Sequence, residues 1–200
     1  MAATVKIVGL YGAEPGTPPL EVSVQRYNTK IPTERDPGLT FPCNVPATEL
    51  TNRSCWVFTG AQITGGSYSQ LTQWRWFGPG NIKDAWLLGD LGGMVQVALK
   101  TTGDPGCPLG QYKQATGVSG QYGYDIQDAD HGIPYYIGEA APQDADNYTT
   151  EQPLVFDTDV YTPDTPVLIT KFVVHQLILK EDTQFGEKGE LTCGIRWQEI

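Results

Sequence analysis

Val167-Leu168-Ile169-Thr170-Lys171-Phe172-Val173-Val174-His175-Gln176-Leu177-Ile178-Leu179-Lys180 is the stretch on which the fold of this 200-residue chain turns. It is nearly continuous Val, Ile, Leu and Phe, as expected of a central strand buried on both faces. Lys171 and His175 interrupt it, and it is too short to cross a bilayer. Glu190 to Trp197 follows with regular alternation, after the polar turn Glu181 to Gly189. The two segments are expected to form an antiparallel hairpin that closes the chain.

Working back toward the N-terminus, Met94 to Lys100 alternates with Val95, Val97 and Leu99 on one face. Cys55-Trp56-Val57-Phe58-Thr59 and Thr72-Gln73-Trp74-Arg75-Trp76-Phe77 are aromatic-rich strands. Gly65-Gly66-Ser67 lies between them and suggests a hairpin or neighbouring strands. Leu20 to Gln25 alternates as a half-buried strand does, and Thr4 to Val8 is a β-branched run. No segment carries a convincing amphipathic-helix period. Gly 23 and Pro 15 make up about a fifth of the residues, against roughly an eighth in an average protein. The expected fold is all-β: one domain over residues 1–200, an antiparallel β-sandwich of jelly-roll-like character with long Gly- and Pro-rich loops. A chain of this length buries a core without metal or disulfide staples.

From Asn28 to Pro46 the chain carries Pro32, Pro37, Pro42 and Pro46, and can hold little regular structure. A long loop of this kind usually has a function of its own, and here it reads as an extended arm.

The formal net charge of −10 disfavours a nucleic-acid partner, which needs a basic footprint to release counterions. Lys and Arg are scattered along the sequence. Met1 to Lys6 leads straight into a strand pattern with no secretory signal, so synthesis in the cytoplasm is expected, and no membrane partner.

Four cysteines stand at Cys43, Cys55, Cys107 and Cys193, with no C-x-x-C spacing that suits zinc. Cys193 alternates with Leu191, Ile195 and Trp197 and reads as a buried apolar thiol. Cys43 and Cys55 sit in or beside loops and are either free or bridged.

Of the two histidines, His175 lies inside the long apolar strand and reads as structural; His131 lies in the acidic loop Asp125 to Gly132. That loop presents Asp125, Asp128 and Asp130, an oxygen cluster suited to a hard cation such as calcium, although its spacing is not that of an EF-hand. Asp144-Ala145-Asp146-Asn147 could add further oxygens. No nucleophile elbow, dinucleotide fingerprint or phosphate loop occurs, since each needs a strand-to-helix turn. The chain is therefore expected not to be an enzyme, and no catalytic residue is assigned. Trp74, Trp76 and Trp86, with Tyr135 and Tyr136, could instead stack on sugars, although aromatics in a sandwich more often belong to the core or a subunit interface.

Leu88-Gly89-Asp90-Leu91-Gly92-Gly93, Thr101 to Pro108, Gln111 to Gly117 and the terminal Ile195 to Ile200 together resemble a poorly characterised group of structural proteins from tailed viruses of bacteria or archaea. The resemblance runs from about Arg26 to the C-terminus. It implies a many-copy virion component, on the head surface or in the tail, whose partners are copies of itself and other virion proteins. The alternative is a carbohydrate- or receptor-binding β-sandwich module.

Overall fold

The computed structural model describes residues 2–11, 20–21, 31–32, 40–41, 46, 51–53, 57–100, 126, 141–165, 168–184, 186 and 188–200. These residues form antiparallel sheets. Helix is confined among them to α1 (Ile82–Ala85) and a 3-10 turn at Ala145–Asn147. The expected all-β architecture is the one the chain adopts.

The large sheet has seven strands: β1 (Ala3–Tyr11), β2 (Leu20–Glu21), β5 (Asn52–Arg53), β6 (Val57–Gly66), β8 (Met94–Lys100), β9 (Gln143–Asp144) and β11 (Phe172–Leu179). Their order is β2-β1-β6-β11-β8-β9, with β5 also on β11. β11 is the central strand that the sequence predicts. On one side it runs against β8 from Phe172↔Lys100 to Ile178↔Met94. On the other, β6 takes its first half and β5 its last two residues. Every residue from Val173 to Leu179 is buried, which is why no period-2 alternation marks this strand.

The small sheet has three strands, β10 (Leu154–Asp157), β7 (Leu71–Phe77) and β12 (Gly194–Glu199), in that order. A separate two-stranded ribbon pairs β3 (Ile31–Pro32) with β4 (Thr40–Phe41).

Two expected pairings are corrected. β12 pairs with β7 and not with β11, because both sides of β11 are already taken. β6 and β7 are not a hairpin either: β6 lies between β1 and β11, and β7 between β10 and β12. The chain leaves one sheet for the other at Gly66, whose φ of 103° is open to glycine at little cost. A side chain there would also strike the backbone of Ala2 and Ala3.

The two sheets pack face to face as a sandwich-like pair. Ala61, Ile63, Val97, Val173, Leu177 and Leu179 of the large sheet meet Leu71, Trp74, Trp76, Leu154 and Phe156 of the small one, with Val95 and Leu99 packed partly buried on the same side. The opposite face of the large sheet is buried too, at Val8, Ala98, Val174 and Ile178. There Gln96 and Gln176, paired across β8 and β11, join side chains at 2.8 Å. The backbone N–H of Ile126 donates to the same Gln176 oxygen at 3.1 Å.

Candidate functional site

The shape of the small sheet starts from a defect in β7. Gln73 adopts φ 56°, a left-handed conformation uncommon for a residue other than glycine. Pairing with β12 slips at this point: Arg196 faces Arg75, while Gln198 faces Thr72. One extra residue in β7 is the hallmark of a β-bulge. It lets Leu71 and Trp74, three apart, both point inward, with Trp76 following in ordinary alternation. Opposite, β10 has its own irregularity between Val155 and Asp157, so Phe156 and Asp157 are both buried.

Asp157 gathers polar contacts where β10 meets the start of β11. Its side chain is wholly buried. Oδ2 accepts from the Tyr161 hydroxyl at 2.7 Å and from the Lys171 backbone N–H at 2.9 Å. Oδ1 accepts from the Asp159 N–H at 2.9 Å and lies 3.6 Å from Lys171 Nζ. Lys171 Nζ also reaches the exposed Asp159 carboxylate at 3.1 Å. Burial, and next the hydrogen bond to Asp157, push the Tyr161 hydroxyl far above the usual phenol range. Thr170 continues the seam: its backbone N–H donates to Ala61 O, and its hydroxyl accepts from Ala61 N–H, each at 2.9 Å.

This constellation is a clamp. Each oxygen of Asp157 faces donors of the 159–171 connection, and the carboxylate lies within the core, so what it does chemically is hold β10 to the start of β11. Breaking a buried pair of this kind is strongly destabilising because a charge is left behind.

The residues singled out in the sequence fall as follows. His175 is 4 % exposed and packs its ring 5.1 Å from that of Trp76. Burial lowers its pKa to about 3, in keeping with a structural role. Trp74, Trp76 and Trp86 are all buried, which removes them as a sugar-stacking platform. Trp74 stacks on Trp197 at 5.2 Å and takes the edge of Tyr161 at 6.1 Å. The indole N–H of Trp86 donates to Gly189 O at 2.8 Å. Tyr135 and Tyr136 lie outside the described residues.

Cys193 is a free thiol packed partly buried against the core, and burial pushes its pKa up to about 12. Cys43, Cys55, Cys107 and His131 lie outside the described residues, as do the calcium candidates Asp125, Asp128 and Asp130. Ile126, beside Asp125, is fully buried on the outer face of the large sheet. Among the described residues no group of three or more His, Cys, Asp or Glu is placed to hold a metal.

Asp146 has a different task from the one its acidic neighbourhood suggests. Its oxygens accept from the N–H groups of Ile82 at 2.6 Å and Lys83 at 2.9 Å, capping α1 from a distant loop where Asn81 makes no side-chain cap. Asp144 in turn accepts from the Asp146 N–H at 3.0 Å, and burial is the main cause that raises its own pKa.

Sequence reasoning missed Asp157, Tyr161 and Lys171, and also a cationic pair. Arg75 and Arg196, far apart in the chain, stand directly opposite each other on β7 and β12. Alternation alone marks each as outward-facing; only the strand pairing makes them neighbours.

Among the described residues no helix is long and apolar enough to cross a membrane. No protein-family model, characterised protein or solved structure matches the chain.

Proposed function

We propose that this protein is a self-assembling structural subunit of a virus particle, on the head surface or in the tail, working through contacts with copies of itself and with other virion proteins. The observation that carries this reading is the ribbon of β3 and β4. It occupies the middle of the Pro-rich arm, pairs Ile31 with Phe41 and Pro32 with Thr40, and among the described residues joins neither the large nor the small sheet. A lone two-stranded ribbon is marginally stable in water and needs a surface to pack on. A neighbouring subunit is such a surface. The arm is rooted at Pro46, which is buried.

The edges of the small sheet support the same reading. Among the described residues β12 pairs with β7 on one side only, which leaves a six-residue strand edge for a further chain. The test is deletion of residues 28–46. The expected outcome is loss of high-mass assemblies in light scattering and electron microscopy, with the near-ultraviolet circular dichroism of the buried tryptophans retained. A deletion variant that still assembles like the full chain refutes the role of the arm.

A further inference from the structure

The outer face of the small sheet sets two arginines opposite each other. β10 sets Val155 opposite Arg75, and β12 sets Arg196 opposite the same Arg75. One row across the three strands therefore reads Val155, Arg75, Arg196. The flanking residues Trp74, Trp76, Ile195 and Trp197 all belong to the core, so alternation turns this row outward. Val155 and Arg196 are exposed and Arg75 is half-buried. Arg75 Nη2 is held by the side-chain oxygen of Gln73, at 3.3 Å.

Neither guanidinium makes an ion pair among the described residues. Directly opposed residues in a sheet have Cβ atoms about 4.5–5.5 Å apart, and like charges at that spacing are destabilising. This repulsion is kept in a chain with 23 Asp and Glu against 13 Lys and Arg, where a carboxylate beside either arginine would remove it. A partner that brings carboxylates converts the same two charges into attraction.

We propose that the Val155–Arg75–Arg196 row docks onto a carboxylate-bearing surface of a second copy of this chain, in a head-to-tail contact. Charge complementarity selects the occupant: the rest of the chain is more acidic than its net charge of −10 suggests, since that figure already includes both arginines. Symmetry selects the geometry. A two-fold contact through this face would set the row against itself and bring arginine to arginine, whereas a heterologous contact pairs arginines with acids. Heterologous contacts repeat into rings or filaments and do not stop at dimers. The inference rests on the assembly reading above and adds its polarity.

The experiment compares the full-length protein with R75E/R196E by light scattering and sedimentation velocity, in about 50 mM and about 500 mM salt, since exposed charge pairs weaken as screening shortens. R75Q/R196Q is the second variant, and urea midpoints show that each is folded. The expected results are assemblies larger than dimers that weaken with salt, and self-association reduced on the order of 100-fold in R75E/R196E, because like-charge contacts across an interface cost several kcal/mol. A head-to-tail contact also requires that R75E/R196E, whose acidic surface is intact, cap growing wild-type assemblies and lower their mean mass. Wild-type assembly strength in both folded double variants overturns this inference and leaves the assembly reading standing. Poor self-association without capping overturns the head-to-tail polarity. A wild-type monomer at every concentration and both salts overturns the assembly reading itself.

Discussion

Acidification to pH 5 is expected to destabilise this protein through one buried ring. His175 sits in the centre of β11, 4 % exposed, with its imidazole against Trp76. Burial depresses its pKa from 6.5 to about 3. In the folded state the ring therefore stays neutral down to about pH 3, whereas in the unfolded chain it takes a proton below about pH 6.5. Between those values the unfolded state binds more protons, so stability falls as pH drops and is fully present above the window. Each pH unit below 6.5 costs about 1.4 kcal/mol, so the loss at pH 5 is about 2 kcal/mol. For a chain of this size that is roughly 4–8 °C in melting temperature. Urea midpoints at pH 7.5 and pH 5 measure it, with H175Q as reference to subtract carboxylates and His131. The wild type should lose about 2 kcal/mol more than H175Q, with an unchanged denaturant slope. Equal losses in the two proteins, or a folded-state His175 resonance that titrates near pH 6.5, refute the reasoning.

Two further perturbations test the contacts that set the small sheet. Y161F removes a 2.7 Å hydrogen bond to a wholly buried carboxylate and should cost about 1.5–3 kcal/mol in urea unfolding. It should also flatten the alkaline limb: the raised Tyr161 pKa means the folded state keeps a proton that the unfolded state releases above about pH 10, so wild-type stability falls there and the variant's falls less. D146A strips the cap from α1 and should cost about 1–2 kcal/mol, with hydrogen exchange at Ile82 and Lys83 accelerated before the rest of the sheet.

The longer strands β1, β6, β7, β8, β11 and β12 are legible because period-2 alternation, apolar runs and Gly/Pro punctuation are local properties; the short β3, β4 and β10 are not. Partnership was not. The run from Val173 to Leu179 announced a strand buried on both faces, and β11 is that strand. Its sequence neighbour β12 looked like its hairpin mate, yet both sides of β11 were taken by β6, β5 and β8. Alternation fixes which residues share a face and says nothing of which strand lies alongside. The aromatic strand β7 leaves two readings open, core or exposed platform, and the fold chooses the core. Whether Trp74 points in or out depends on the bulge at Gln73, and a glutamine in a left-handed conformation leaves no mark in the sequence. A slip of one residue moves every later side chain to the other face.

The same limit governs the polar residues: an acid that looks chemical in the sequence can be structural in the fold, and two cations scattered in the sequence can become neighbours. Asp146 sits in an acidic run, the kind of local signal that invites a metal, but its carboxylate is committed to two helix amides supplied by a segment remote in sequence. Asp157 drew no notice, yet it gathers Tyr161, Lys171 and Asp159 because the connection after β10 folds back over it. In both cases the acid is engaged by backbone donors brought by the tertiary fold, Ile82 and Lys83 for Asp146 and Lys171 for Asp157. Arg75 and Arg196 have the opposite history. Each stands alone in its strand, and the bulged pairing of β7 with β12 places them side by side with no ion pair to an acid among the described residues. A fold that engages both oxygens of Asp146 and of Asp157 and leaves two opposed guanidinium groups on the outer face of its small sheet has put its unbalanced charge where another molecule can reach it.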